Sequence, residues 1–325
     1  MALFPALQQL QAELIRKPIS GASVFWAPSA ATLPTTLTTG GTPEVQTITV
    51  TGTPDAGDFT LTLSGQTTAA IAYNAVASAV QTALEALSTV GAGNVTCAGG
   101  PLPGTPVTAT FSSTLGDPAE MTATSSLTGG TTPDVTVETT TPGTAIELAT
   151  LPSGYVDLGY ISKEDGATWA REAELSEVTA VGASEAVRSD IVSDVNTLAV
   201  TALETKLQTL ELYDNVDLST LSPTANTGEV AYNRPTRPRT KFGRLYVISM
   251  DDSDDAGPIY LARLCPRSQV TEVGEQTWTD GDSPITYPLT FSAKKDSDAG
   301  YAMRCLFGGP GWLARLTDMG FPAAA

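Results

Sequence analysis

Histidine is missing from all 325 residues. That excludes Ser-His-Asp triads, HExxH zinc sites and imidazole acid–base chemistry. Cations are missing from one long tract. Neither lysine nor arginine occurs between Lys17 and Lys163, whereas the chain beyond it holds fifteen of the seventeen basic residues. With 35 acidic residues the formal net charge is −18. Such a balance argues against a nucleic-acid binder, because those proteins gain most of their affinity by neutralising phosphates. No run approaches the roughly 18 apolar residues that a membrane span needs. Cysteine is scarce and odd in number. Cys97, Cys265 and Cys305 are expected to be reduced and packed, Cys305 on the inner face of a strand in which Tyr301, Met303, Cys305 and Phe307 alternate.

What is abundant is threonine, glycine and proline, a composition that leans toward β structure with many turns. The opening MALFPALQQLQAELIRKP has its cations after the apolar part, the wrong order for an export signal. Leu3, Leu7, Leu10 and Leu14 share one face at helical spacing, so an amphipathic N-terminal helix or arm is expected there.

Two Gly/Thr/Pro junctions, TTLTTGGTPE (from 35) and ETTTPGTAIE (from 138), divide the chain. Between them VQTITV, FTLTLSG, VTATFS and VTVETT alternate threonine with apolar residues at period two, as half-buried strands do. Their one helical stretch, over 75–88, has Asn74 as its expected N-cap. Val76, Val80, Leu84 and Leu87 line its inner face, and Gly91 and Gly93 close its end. Residues 42–143 therefore read as a small α+β domain inserted in a loop of a mostly-β core built from 1–41 and 144–325. In that core GASVFWAPSA, YVDLGYIS and ATWAREAELSEVTAV read as strands, the last with Arg171, Glu172 and Glu174 outward. VNTLAVTAL leads into a helix, ETKLQTLELY, with Leu203, Leu207 and Leu210 on one face and Thr201…Glu204 or Thr205…Gln208 as capping box. GRLYVISM and PIYLARLC are apolar on both faces and flank the tip DDSDDAG. ITYPLTFSA and YAMRCLFG form a further pair, and a helix from Trp312 to Met319 ends the chain.

No motif with catalytic spacing emerges. DDSDD (251–255) lacks the glycine and closing glutamate of an EF-hand loop. Nothing holds Glu172, Glu174, Glu177, Asp157 and Glu164 at the separation of a hydrolase pair. The glycine-rich stretches at 91–100 and 307–312 match neither a P-loop nor a dinucleotide fingerprint and read as turns. No catalytic, cofactor-binding or metal-binding residue is assigned. The exception to this blandness is RPTRPRTKFGR (234–244), which holds Arg234, Arg237, Arg239, Lys241 and Arg244 in an acidic chain. Its prolines keep it extended. It reads as a solvated edge that deters aggregation or as a contact to an acidic face on a neighbouring copy, and the overall charge and the lack of interleaved aromatics speak against a nucleic-acid patch.

The order of IRKPISGASVFWAPSAATLPTTL, GYVDLGYISKEDGATWAREAE, VNTLAVTALETKLQTLELYDN, SPITYPLTFSAKKDSDAG and GPGW resembles the major tail proteins, the tail-tube subunits, of long flexible-tailed phages, especially those of actinobacteria. The 42–143 segment, with FTLTLSGQTT, IAYNAVASAVQTALEAL, GAGNV and VTATF, is similar to small modules of phage virion and bacterial surface proteins. The first resemblance implies a β-sandwich or barrel core with a flanking helix and no enzymatic activity. It also implies homo-oligomeric rings, usually hexameric, stacked around a tape-measure protein and ended by tail terminator and tip proteins. Such a virion tube, assembled in the host cytoplasm, passes DNA without binding it and involves no membrane. Leu3, Leu7, Leu10, Leu14 and the five cations of 234–244 are the expected subunit contacts. The alternative is a head-decoration or tail-tip protein, or a surface adhesin, built on the same inserted module.

Overall fold

The computed structural model describes residues 21–182, 184–253, 256–278 and 284–322, so the N-terminal leucines Leu3, Leu7, Leu10 and Leu14 lie outside the described residues. The chain is mostly β, its named strands pairing antiparallel, and it divides into two compact units. One comprises the described residues up to Leu37 with Thr150–Asp252 and Ile259–Gly308. The other comprises Thr38–Ala149, Ser253–Pro258 and the described residues from Gly309.

The first unit is built on an eight-stranded sheet. Its strands are β1 (Ala22–Pro28), β12 (Val156–Asp157), β13 (Ala167–Thr179), β14 (Ala186–Ala202), β15 (Gly243–Ser253), β16 (Gly257–Val273), β17 (Tyr287–Lys294) and β18 (Arg304–Gly308). They run in the order β12-β1-β15-β16-β17-β14-β13, with β18 also on β16. The central strands bury both faces, as their unbroken apolar sequences require. Val24, Trp26, Leu245 and Val247 enter one core with Leu198, Val200, Leu289 and Phe291. Their neighbours Phe25, Tyr246 and Ile248 enter a second with Leu37, Ala262 and Leu264. Trp26 and Phe291 stand on strands three positions apart, yet their rings are 5.5 Å apart. The sheet therefore curls around the first core, since flat strands at that separation would be about 14 Å apart. Helix α2 (Leu207–Tyr213) packs beside β17 and adds Leu212 to this core.

β16 serves two partners on one side. Tyr260–Leu264 pair with β18 and Arg267–Val273 with β17, and Pro266, which has no N–H to donate, sits between the two ladders.

The second unit has its own core, centred on Phe59, Leu61, Val80, Leu84, Val107 and Phe111. The strands of one four-stranded sheet are β3 (Val45–Thr51), β7 (Val95–Gly99), β8 (Val107–Phe111) and β10 (Asp134–Thr141). Those of another are β4 (Ala56–Leu63), β5 (Gln66–Thr67), β6 (Ile71–Ala72) and β9 (Thr122–Thr128). The two pack with helix α1 (Ala77–Glu85) through this core. At its base β2 (Thr38–Thr39) pairs with β11 (Glu147–Leu148), so the entering and leaving chains lie side by side.

Several expectations need correction. The Asn74 cap does not form: α1 starts after Val76, which is 51% exposed, and Ala75 takes the buried place beside Val80 and Leu84. Neither capping box forms at α2. Glu204 accepts from the Tyr160 N–H, Thr205 Oγ1 meets the Tyr287 hydroxyl, and the helix begins after Lys206 with no side-chain cap. Leu207 is exposed, and Leu212 is the buried leucine of α2. The terminal helix α3 is shorter, Pro310–Ala314. The 91–100 and 307–312 stretches are not wholly turns, since they supply β7, the end of β18 and the start of α3. In β18 the inward residue is Leu306, which leaves Cys305 exposed instead of packed.

Trp26 sets a steric limit on its neighbour, because a Cβ on Gly243 would overlap the indole ring. Gly243→Ala is expected to destabilise the first unit by about 1–3 kcal/mol, read as a lower urea midpoint at unchanged m-value.

Candidate assembly surface

β13 and β14 form a hairpin that outruns the rest of the sheet. β17 pairs β14 only over Thr197–Ala202, so from Asn196 outward β14 has β13 as its sole partner among the described residues. The distal part is a two-stranded ribbon, a structure that is marginal alone in water. Its side chains are nearly all exposed, including the directly opposed pair Leu175 and Ile191 at 56% and 59% and the fully exposed Val181. Register shifts after Glu174 and after Val178 mark two β-bulges, which leave Val192 and Val187 without an opposite residue. β13 is also the last strand of the sheet, so its outer edge carries thirteen residues with no strand against it among those described.

Charge on the ribbon is unbalanced. Arg171 donates two hydrogen bonds to Asp194, both 2.9 Å, and these hold the Asp194 carboxyl below the usual range. Arg188 is likewise bonded to Asp190. Glu172, Glu174, Glu177 and Glu185 have no ion pair among the described residues. By the pairing register Glu172 and Glu174 share one face while Arg171 lies on the other, so the expectation that all three point outward together is corrected.

The five cations of 234–244 lie in and beyond an irregular strap, 214–242, with no helix or strand between α2 and β15. Arg234 pairs with Asp214 at 3.3 Å, and Lys241 Nζ donates to the Val216 carbonyl. Arg244, on β15, donates to the Ser29 carbonyl and is fixed within its own fold. Arg237 and Arg239 are exposed and have no ion pair among the described residues. Arg234, Arg239 and Lys241 line one cleft of about 490 Å³, floored by Leu212, Tyr213, Val270 and Val273. Of its carboxylates, Asp214 also accepts from Tyr232, and Glu211 accepts from the Leu218 N–H, which leaves Glu272.

A larger concavity of about 1020 Å³ lies against Ile161, Trp169 and Phe307, with Arg263 stacked 4.8 Å over the Trp169 ring. Its two carboxylates are engaged: Asp157 accepts from the Gly159 N–H, and Glu204 from Tyr160 N–H and from Lys206. Among the described residues no group of three His, Cys, Asp or Glu could hold a metal ion, and no helix is long and apolar enough to cross a membrane.

The model of a phage tail tube protein family matches residues 130–304, more than half of the chain. The chain belongs to this family. No curated protein matches it. The match takes in β10 to β17, and with them the ribbon, α2 and the strap. Membership carries a structural role in the tail tube and a place in the virion. The mostly-β fold is the one expected of such a subunit, with α2 as its flanking helix.

Cysteine chemistry separates by burial. Burial pushes the Cys265 thiol up to about 12 and the Cys97 thiol up to about 11, whereas Cys305 is exposed. An aromatic disulfide reagent at pH 8 should therefore titrate one thiol quickly in the native monomer and three after denaturation. Rapid reaction of all three would contradict this packing.

Proposed function

We propose that copies of this chain close into rings that stack into the tail tube, the conduit through which the genome leaves. The observation that carries this reading is the thirteen-residue free edge of β13. An exposed strand about 40 Å long is an aggregation hazard in a monomer, and edge-to-edge pairing around a closed ring removes it. At the other end of the sheet β12 covers only Phe25 and Trp26 of β1, so this end offers an edge to receive a neighbour. The net charge of −18 suits a duct for DNA, because repulsion between carboxylates and phosphates lets the genome slide without sticking. A tape-measure protein inside the tube and terminator and tip proteins at its ends are the partners this role requires.

Residues 42–143 are read as a separate decoration inserted in the tube-forming core. The β2–β11 pairing supports this, as does the hydrophobic core belonging to that segment alone. Chains whose ends meet in this way are tolerated as insertions. A surface of threonine and carboxylate without lysine or arginine suits a module turned toward water.

Negative-stain microscopy of the purified chain should show rings or striated tubes with an open lumen, and a protein that stays monomeric at high concentration would overturn the tube reading. Deleting 42–143 across a short Gly/Ser join should leave a folded chain that still forms tubes. Loss of folding in that deletion would make the module part of the core.

A further inference from the structure

The ribbon and the strap are complementary in two respects. The ribbon offers branched apolar side chains, Leu175, Val178 and Ile191, each more than half exposed. The cleft beside the strap offers an apolar floor containing Val270 and Val273, the latter 39% exposed. Among the described residues the ribbon carries four glutamates without ion pairs, and the strap carries Arg237 and Arg239 likewise without them, with Lys241 alongside. Each is also unusual in form. A ribbon with no third strand is marginal by itself, and an irregular segment of this length inside a compact unit is characteristically a binding loop. Within one chain the two point different ways along the sheet, since Val273 is level with Leu289 and Val200 whereas the ribbon runs from Asn196 in the other direction.

We infer that the ribbon of one copy docks on the strap and cleft of a second copy. This rests on the tube reading and deepens it by naming which surfaces meet. The contact joins two different patches, so it is heterologous. Repeated head to tail, such a contact closes into a ring or propagates along an axis. Val178, which strand alternation places on the Glu172–Glu174 face, seats against the cleft, and the two glutamates opposite Arg237 and Arg239 set register and reject the reversed orientation, while Leu175 and Ile191 lie on the other face of the ribbon. Glu272 at the cleft is the one unengaged carboxylate there, and it disfavours any approach that brings an acidic face over the floor instead of over the arginines.

The test is a charge-exchange set in the full chain, assembled side by side with the parent and followed by sedimentation velocity and microscopy. Glu172→Arg with Glu174→Arg, and separately Arg237→Glu with Arg239→Glu, should each raise the concentration for half-assembly about tenfold or more. The four substitutions combined should restore assembly toward the parent's value. All eight side chains, old and new, are at exposed positions, and circular dichroism with thermal melting establishes that each variant is folded. If the parent assembles and either double variant matches it, or the fourfold variant is no better than the doubles, the docking inference falls while the tube reading stands. If the parent itself remains monomeric, both fall.

Discussion

Two-sided burial of the central strands is the constraint from which the first unit follows. In β1, β15 and β16 successive side chains go to opposite cores, so neither face can be left to water. Each large side chain buried there contributes about 1.5–3 kcal/mol, and each face therefore demands a cover. On one side the sheet covers itself by curling, with α2 closing the gap. On the other, Leu33, Leu37, Leu151 and Tyr155 from the flanking segments do so. What is left over is the outer half of β13 and β14, which lies beyond both covers.

Under the proposed assembly, that surplus ribbon is where one copy meets another. A tube subunit has no reacting atoms to position, so its working parts are the places where its own fold is incomplete. A free edge and exposed branched apolar side chains are unfavourable in isolation, and in the proposed assembly a second copy covers them together.

The elements with strict period-two alternation were legible from residues alone. VQTITV, VTATFS and VTVETT became β3, β8 and β10, and the doubly apolar GRLYVISM and PIYLARLC became the central strands. β9 was not, because TATSSLT buries only alanine, serine and leucine partway and shows too little contrast. β14 was half legible. Its bulges at Val187 and Val192 break the alternation, so AVRSDIVSD does not read as the continuation of VNTLAVTA. Helix caps failed for a tertiary reason, since the Glu204 carboxylate found the Tyr160 amide forty-four residues away. The cationic run was visible at once. Which of its members are free was not, because Arg244 and Lys241 are held by the carbonyls of Ser29 and Val216. Carbonyl positions are a product of the fold, and composition carries no trace of them.

The divided pairing of β16 has a mechanical consequence. A hairpin pulled at one end peels open, breaking its ladder one hydrogen bond at a time. β16 is held by β15 along one side and by β18 and then β17 along the other, so a force directed along it loads three ladders in shear. The bonds then share the load and must yield together. A subunit with such a strand at its centre can transmit tension without unravelling, provided that Pro266 stays in the gap between the ladders, where its missing N–H breaks neither.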